Sequence, residues 1–377
     1  MMYAAIIASC LSLTVVILYT VFKAKKKMND ENPTFELERQ TSTKSINTYI
    51  LEDISKEGQM KDQWSVNNIT TVRQLGKGFF STVYKIKNKD KQEFAMKIVE
   101  DSSDFIASSC LQNEINVLQS VPTNVKIIGI VGFNLKERMV IFEYCSKGNL
   151  KDYIIEHCYT MFHEDTAKEF DIELSIDDLS TSSEHLSVRR LVGWSKDVGE
   201  GQKYLTDEGA IHRDVALRKI LLTNNDKVKI ADFGLAVKLP NPITADYKEN
   251  SEYVSRGNKP IPFRWMAIES LRDRKFSSKT DVWAFGVTLW EIFSLGKEPY
   301  GSTVATELIF MLEDGRRLEE CQLAPAKVNA LMRQCWAKDP VERPNIQETV
   351  NVLDKVSFSV SESTKCWMWD ESQSWPD

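Results

Sequence analysis

The sequence is poor in the features of a disulfide-stapled, metal-clustered or nucleic-acid-binding protein. Its seven cysteines (10, 110, 145, 158, 321, 335 and 366) are odd in number and scattered, with no C-x-x-C pair among 377 residues. That excludes a disulfide framework and leaves reduced thiols in a cytosolic domain as the expectation. Positive charge is in deficit, with 48 Lys and Arg against 54 Asp and Glu and a net charge of −6. A polyanion would find no global attraction, so nucleic acid is not expected as a partner. There is no internal repeat.

One stretch has no charge at all. Residues 3–22 are mostly Ala, Ile, Leu, Val, Ser and Thr. At ~1.5 Å per residue a helix of that length spans a hydrocarbon core of about 30 Å. Lys23, Lys25, Lys26 and Lys27 follow at once, and only Met1 and Met2 precede it. A cleaved signal peptide has its basic residues before the apolar run and small residues after it; here the order is reversed. The expectation is a single-pass anchor in the cell membrane, N-terminus out, with the C-terminal bulk in the cytoplasm and almost no ectodomain. The lysine cluster adds a contact for anionic membrane lipid, worth ~1 kcal/mol per charge. The alternatives are a signal sequence or a buried core helix, which rarely runs so long without a polar face.

Residues 23–66 are polar, contain Asn32-Pro33 and read as a juxtamembrane linker with Tyr49 as a candidate phosphosite. A folded domain is expected over 67–356, interrupted by an acidic insertion at 158–185 that is too polar to pack. The tail, 357–377, carries Trp367, Trp369 and Trp375 among Ser, Asp and Glu and is a candidate docking surface. Within the domain the pattern is β-rich and glycine-punctuated from about 69 to 98. It turns helical over 104–119, strand-like near 127–133 and 139–144, and mainly helical after Gly148.

The chemistry-bearing residues come in order along this domain. Leu75-Gly76-Lys77-Gly78-Phe79-Phe80-Ser81-Thr82-Val83 sits between two strand-like runs, and the missing Cβ atoms at 76 and 78 would admit phosphate oxygens to backbone N–H groups. Lys97 ends the apolar run Phe94-Ala95-Met96-Lys97, and Glu114 on the following helix is spaced to orient it. Taken singly, the glycine run is an ordinary turn and the lysine a solvent-facing one.

Further on, Ile211-His212-Arg213-Asp214, Ala231-Asp232-Phe233-Gly234, Met266-Ala267-Ile268-Glu269, Asp281-Val282-Trp283-Ala284-Phe285-Gly286 and Cys335-Trp336 through Arg343-Pro344 follow at ordered spacings. Together these motifs resemble the protein kinases over about residues 69–356. The resemblance implies an α+β, bilobal protein-kinase fold, with a small β-rich N-lobe and a helical C-lobe, preceded here by a single transmembrane helix. It implies ATP and Mg²⁺ (or Mn²⁺) as cofactors. Leu75, Gly76, Lys77, Gly78, Val83, Ala95 and Leu221 would enclose the nucleotide. Glu143 and Cys145 would offer backbone groups to adenine, with Phe142 restricting the pocket behind. Lys97 paired with Glu114 would grip phosphates, Asp232 would hold the metal, and Asp214 would take the hydroxyl proton. Glu269 with Arg343, and the stack Leu118, Ile128, His212 and Phe233, would be structural.

Ala216 and Arg218, following Asp214, resemble the tyrosine-kinase class, as do Pro262-Phe263-Arg264-Trp265 and Asp281-Val282-Trp283 through Trp290-Glu291. Glu143-Tyr144-Cys145-Ser146-Lys147-Gly148-Asn149-Leu150 and the acidic insertion lean toward receptor tyrosine kinases with split kinase domains. Protein tyrosines are then the substrates. A dimer partner or phosphotyrosine-binding proteins are the further partners, with Tyr247 and Tyr253 as autophosphorylation sites on the activation segment.

Three positions depart from the family pattern. Ser81 replaces the third glycine and Ile268 the proline before Glu269. Lys219 stands where the family has an asparagine whose carbonyl ligates a second Mg²⁺, and lysine has no acceptor oxygen. An ammonium also repels a divalent ion, by several kcal/mol at ~4 Å and an effective dielectric of about 20. Two readings stand: a kinase weakened to one metal, or a pseudokinase scaffold at the membrane.

Overall fold

The computed structural model describes residue 64 and residues 69–78, 81–101, 104–158, 186–239, 252–255 and 261–356. All fall in one compact unit, Gln63–Asp377. The expected membrane span, Tyr49, the insertion beyond Cys158, Tyr247 and the Trp-rich tail lie outside the described residues. Among the described residues no helix is long and apolar enough to cross a membrane.

The N-terminal lobe is one antiparallel sheet and one helix. Strands β1 (Thr70–Lys77), β2 (Thr82–Lys87), β3 (Glu93–Ile98), β4 (Ile130–Asn134) and β5 (Met139–Glu143) lie in the order β1-β2-β3-β5-β4. The register sets Lys97 opposite Val83 on one side and Val140 on the other. Between β3 and β4 runs α1 (Phe105–Ser120), started by the Asp104 side chain, which accepts the Ala107 N–H at 2.8 Å. Ala107, Cys110, Leu111, Glu114 and Ile115 recur at helical spacing and face inward. Glu114 therefore sits in an otherwise apolar stripe, where a charge needs a partner.

One boundary needs correction. Trp64, assigned from its polar neighbours to the linker, is 3% exposed. It packs with Ile86, Met96, Met139 and Ile141 on the sheet face away from α1. A single aromatic among polar residues carries no periodicity, so the pattern hid it.

The C-terminal lobe is helical: α2 (Leu150–His157), α3 (Val188–Asp207), α4 (Ile268–Asp273), α5 (Ser278–Phe293), α6 (Ala305–Glu313), α7 (Ala326–Cys335) and α8 (Ile346–Asp354). The α5 helix is buried on nearly all sides, as its lack of a polar face requires, and starts with a capping box between Ser277 and Thr280. Four two-residue or three-residue strands matter for the site. Ala210–Ile211 (β6) pairs with Val237–Lys238 (β9), and Ile220–Leu222 (β7) with Val228–Ile230 (β8). These pairs hold the loop through Asp214, which ends in a 3₁₀ turn (Leu217–Lys219), beside the turn through Asp232. A further pair joins Tyr253–Val254 (β10) to Lys275–Phe276 (β11).

Glu269 and Arg343 meet as expected, through two hydrogen bonds of 2.7 and 2.9 Å. The departure at Ile268 leaves the local geometry intact. Ile268 is the first residue of α4, where the N–H has no intrahelical partner and proline is favoured but not required.

Candidate active site

A cleft of about 760 Å³ lies between the lobes. Leu75, Gly76, Lys77, Gly78, Val83 and Ala95 line it from the sheet, Phe142, Glu143, Tyr144 and Cys145 from the connection, and Leu221 and Ala231 from below. The glycines keep its mouth clear. A Cβ on Gly76 would meet nothing within 4 Å, and one on Gly78 only the Ser81 carbonyl at 3.5 Å. Ser81 does the work of a turn residue through its backbone, accepting the Gly78 N–H at 2.8 Å. The Cys145 thiol is buried, and burial pushes its pKa up to about 12, so it offers backbone rather than sulfur chemistry.

At the inner end of the cleft three carboxylates and three cations alternate. Lys97 Nζ donates to Glu114 Oε2 at 2.6 Å and to Asp232 Oδ1 at 2.7 Å. Lys219 Nζ donates to the other oxygen, Asp232 Oδ2, and lies 3.7 Å from Asp214 Oδ2. Arg218 Nη2 closes the row at 2.8 Å from Asp214 Oδ1, its guanidinium 3.9 Å over the Trp265 ring. Every sequence-predicted site residue in this group is brought together, and the row adds Lys219 as a full member.

The charges explain the protonation states. Burial opposes the charge on Lys97, but the Asp232 and Glu114 carboxylates outweigh it and hold its pKa above the ordinary lysine range. Burial would raise Asp232, yet Lys97 and Lys219 together hold it well below the usual carboxylate range. Asp214 goes the other way: burial raises it, and Arg218 and Lys219 only partly offset that. A carboxylate shifted upward is a better proton acceptor at neutral pH.

Several supporting contacts come from residues that the sequence placed in a motif without a role, and from Asn113, to which it assigned none. Arg213 and Asp232 both have φ of 68°, the left-handed region that side chains with a Cβ rarely adopt. Such strain persists only where the surroundings impose it. Asp281 imposes the first, accepting the His212 N–H at 2.7 Å and the Arg213 N–H at 2.9 Å. Burial raises the Asp281 pKa to about 6. The second is held by α1. Glu114 accepts the Phe233 N–H at 3.1 Å, and Asn113 Nδ2 donates to the carbonyls of Phe233, Gly234 and Ala236 at 2.9 to 3.2 Å. Glu291 accepts both Leu217 N–H and Trp265 Nε1–H at 2.8 Å, fixing the loop that carries Arg218. The available signal was a carboxylate inside an apolar helical run, at 281 and again at 291. His212 and Phe233 stack edge-on at 4.8 Å within the core, and burial lowers His212 to about 4, so it packs as a neutral ring. Tyr253 is half-buried on β10, with the Arg213 guanidinium 5.0 Å from its ring centre.

The donor set fits one divalent ion and not two. Asp232 lines the cleft with its oxygens on Lys97 and Lys219, whereas position 219, where an amide carbonyl would serve a second ion, carries an ammonium with no acceptor oxygen. Among the described residues no group of three or more His, Cys, Asp and Glu side chains is arranged to hold a metal by itself. An ion here would therefore need ligands from a bound phosphate as well.

A family model of protein tyrosine and serine/threonine kinases matches residues 69–353. The chain is 32% identical over 312 residues to a fibroblast growth factor receptor of Ciona intestinalis, covering 79% of this chain and 40% of that one. It is equally similar (32% over 315 residues) to the fibroblast growth factor receptor of Halocynthia roretzi. Vascular endothelial growth factor receptor 1 of Mus musculus is 30% identical over 344 residues, covering 78% of this chain and 25% of the receptor. The chain thus spans well under half the length of these relatives.

Proposed function

Since the chain belongs to the protein tyrosine and serine/threonine kinase family, we propose that it is a membrane-anchored tyrosine kinase, moving the γ-phosphoryl group of ATP to tyrosine hydroxyls of protein substrates. The observation that carries this reading is the alternating charge row, which joins the Lys97–Glu114 pair to Asp214 through Asp232. Phosphoryl transfer asks a protein mainly for positioning and charge neutralisation, and the row supplies both.

Kinases of this family use ATP with a divalent metal; here Mg²⁺ or Mn²⁺ would be held by Asp232 and would neutralise phosphate charge. Lys97, oriented by Glu114, binds phosphate oxygens. Leu75, Val83, Ala95 and Leu221 enclose the base, and the backbone at Gly76, Lys77 and Gly78 approaches the phosphates. Glu143 and Cys145 present main-chain groups to adenine in front of Phe142. Asp214 orients the attacking hydroxyl and takes its proton, with Arg218 steering the carboxylate from its stack on Trp265. Ala216 and Arg218 in this loop favour tyrosine over serine or threonine as acceptor.

Residues 3–22 and the following lysines support attachment to the cell membrane with the kinase domain in the cytoplasm, as does the similarity to growth factor receptors. Membrane lipid, a dimer partner and phosphotyrosine-binding proteins recruited to Tyr49, Tyr247 or Tyr253 are the partners in this reading. A second reading, a scaffold without efficient catalysis, is favoured by one observation: the ammonium of Lys219 on the carboxylate that should meet the metal.

The test is phosphotyrosine formation on a tyrosine peptide by the purified full-length chain with Mg·ATP. Activity that falls roughly 100- to 10,000-fold in Asp214→Asn sustains the kinase. No phosphotyrosine from folded wild-type protein with either metal leaves the scaffold.

A further inference from the structure

Lys219 is held too firmly to be a bystander. Its N–H donates to the Ala216 carbonyl at 2.8 Å, and its own carbonyl accepts the Ala231 N–H at 2.9 Å, one residue from Asp232. The backbone is braced on both sides, and the side chain has a short reach left. Its ammonium lies between Asp232 Oδ2 and Asp214 Oδ2. It is not sealed in. The side chain is 23% exposed and lines both the main cleft and a second cavity of about 370 Å³ that runs on toward α1.

We propose that Lys219 is a tethered cation standing in for one of the two divalent ions, so that the cleft holds nucleotide with one metal ion or with none. This rests on the reading of the cleft as an ATP site. An ammonium has three N–H donors; one goes to Asp232 and the Asp214 carboxylate lies 3.7 Å away, which leaves a donor for a phosphate oxygen. The charge is covalently placed, so no ion has to be recruited and desolvated to put it there. The same ammonium lies between the Asp214 and Asp232 carboxylates and so keeps positive charge where the two acidic side chains approach one another. A single positive charge neutralises less than a divalent ion does, so phosphate affinity is gained without the full charge compensation of two metals.

The experiment measures binding of a fluorescent ATP analogue to the purified full-length chain, in EDTA and across a Mg²⁺ titration, for wild type, Lys219→Asn and Lys219→Met. Wild type should lose less than about 10-fold in affinity when Mg²⁺ is replaced by EDTA, and both variants more than about 100-fold. Lys219→Asn should then recover through a second, weaker Mg²⁺ phase that wild type and Lys219→Met lack. Loss of more than about 100-fold by wild type in EDTA, with Mg·ATP binding intact, overturns the proposal and leaves the ATP site standing; this arm needs no variant to fold. Tighter binding by Lys219→Asn than by wild type in EDTA also overturns it, because Lys219 would then be a lock on Asp232. If folded wild type binds the analogue under no condition, the ATP-site reading fails and the proposal with it.

Discussion

Lys97 and Glu114 meet at 2.6 Å across the join between β3 and α1, and the second Glu114 oxygen accepts the Phe233 N–H at 3.1 Å. One buried carboxylate thus ties Lys97 to the turn that carries Asp232. Glu114→Gln keeps the shape but removes the charge, leaving Lys97 to Asp232 alone. A charge-assisted bond of this kind is worth about 2 kcal/mol, so kcat/KM for ATP should fall roughly 30-fold. The loss should appear mainly in KM. Steady-state kinetics at varied ATP measure it, and unchanged KM with a lowered melting temperature would assign Glu114 to folding only.

Asp281 gives a pH signature in which stability and activity move apart. Its carboxyl titrates near 6 in the fold, against an ordinary value of 3.8, because burial penalises the charge. A raised carboxyl contributes stability that is complete below about pH 4 and is lost as pH rises through about 6, on the order of 3 kcal/mol. The ionised form accepts the His212 and Arg213 N–H groups as charge-assisted bonds, and protonation weakens the bond to the oxygen that takes the proton. Activity should therefore rise through about pH 6 in the wild type. Asp281→Asn should flatten that limb and lie below wild type above it, and denaturation across pH 4 to 7 should lose the matching stability slope. A wild-type profile with no limb near pH 6 would contradict the assignment.

The lobes and the candidate site side chains were legible because they rest on local signals. Strand alternation, the helical pattern over 104–119 and the order of the motifs are enough to group Lys97, Glu114, Asp214 and Asp232. What was not legible depends on long-range encounters. Asp281 and Glu291 stand in the quoted motifs, but what they do there depends on the backbone N–H groups they accept from residues 212, 213 and 217. Asn113 reads as a polar helix residue, although its amide holds three carbonyls of the Asp232 turn. Lys219 was legible as a departure, but the sequence left open whether its ammonium meets a phosphate or a carboxylate. Trp64 lacked any periodic neighbour to mark it as core.

Arg343 is fully buried and spends its fork on one carboxylate and nearby main chain. It bonds both oxygens of Glu269 and the carbonyls of Ala337 and Lys279, each at 3.0 Å. Removing it strands a carboxylate and those carbonyls, so Arg343→Ala should cost on the order of 3–5 kcal/mol. That corresponds to roughly a 10 °C fall in the melting temperature of a domain this size. Arg343→Lys should rescue little, since an ammonium cannot match the planar fork. Scanning calorimetry decides it, and ATP affinity of the remaining folded protein should be unchanged because the pair lies outside the cleft.

Trp64 and Gly132 depend on one another. The indole lies where a Gly132 Cβ would have to go, and it meets the edge of Phe94 at 5.2 Å. Asn134 Nδ2 donates to the Trp64 carbonyl at 3.1 Å, so backbone and ring are both held. Trp64→Ala should destabilise the domain by about 3 kcal/mol through lost burial. Gly132→Ala should cost nearly as much, because the added methyl evicts the indole while leaving Trp64 in the sequence. Both changes break one contact, so the double variant should cost about the same as the larger single, a coupling of at least ~1 kcal/mol. Urea denaturation of the four full-length forms measures this cycle. Additive losses would mean that Gly132 is needed for its own backbone and that the folded domain begins after residue 64 rather than with it.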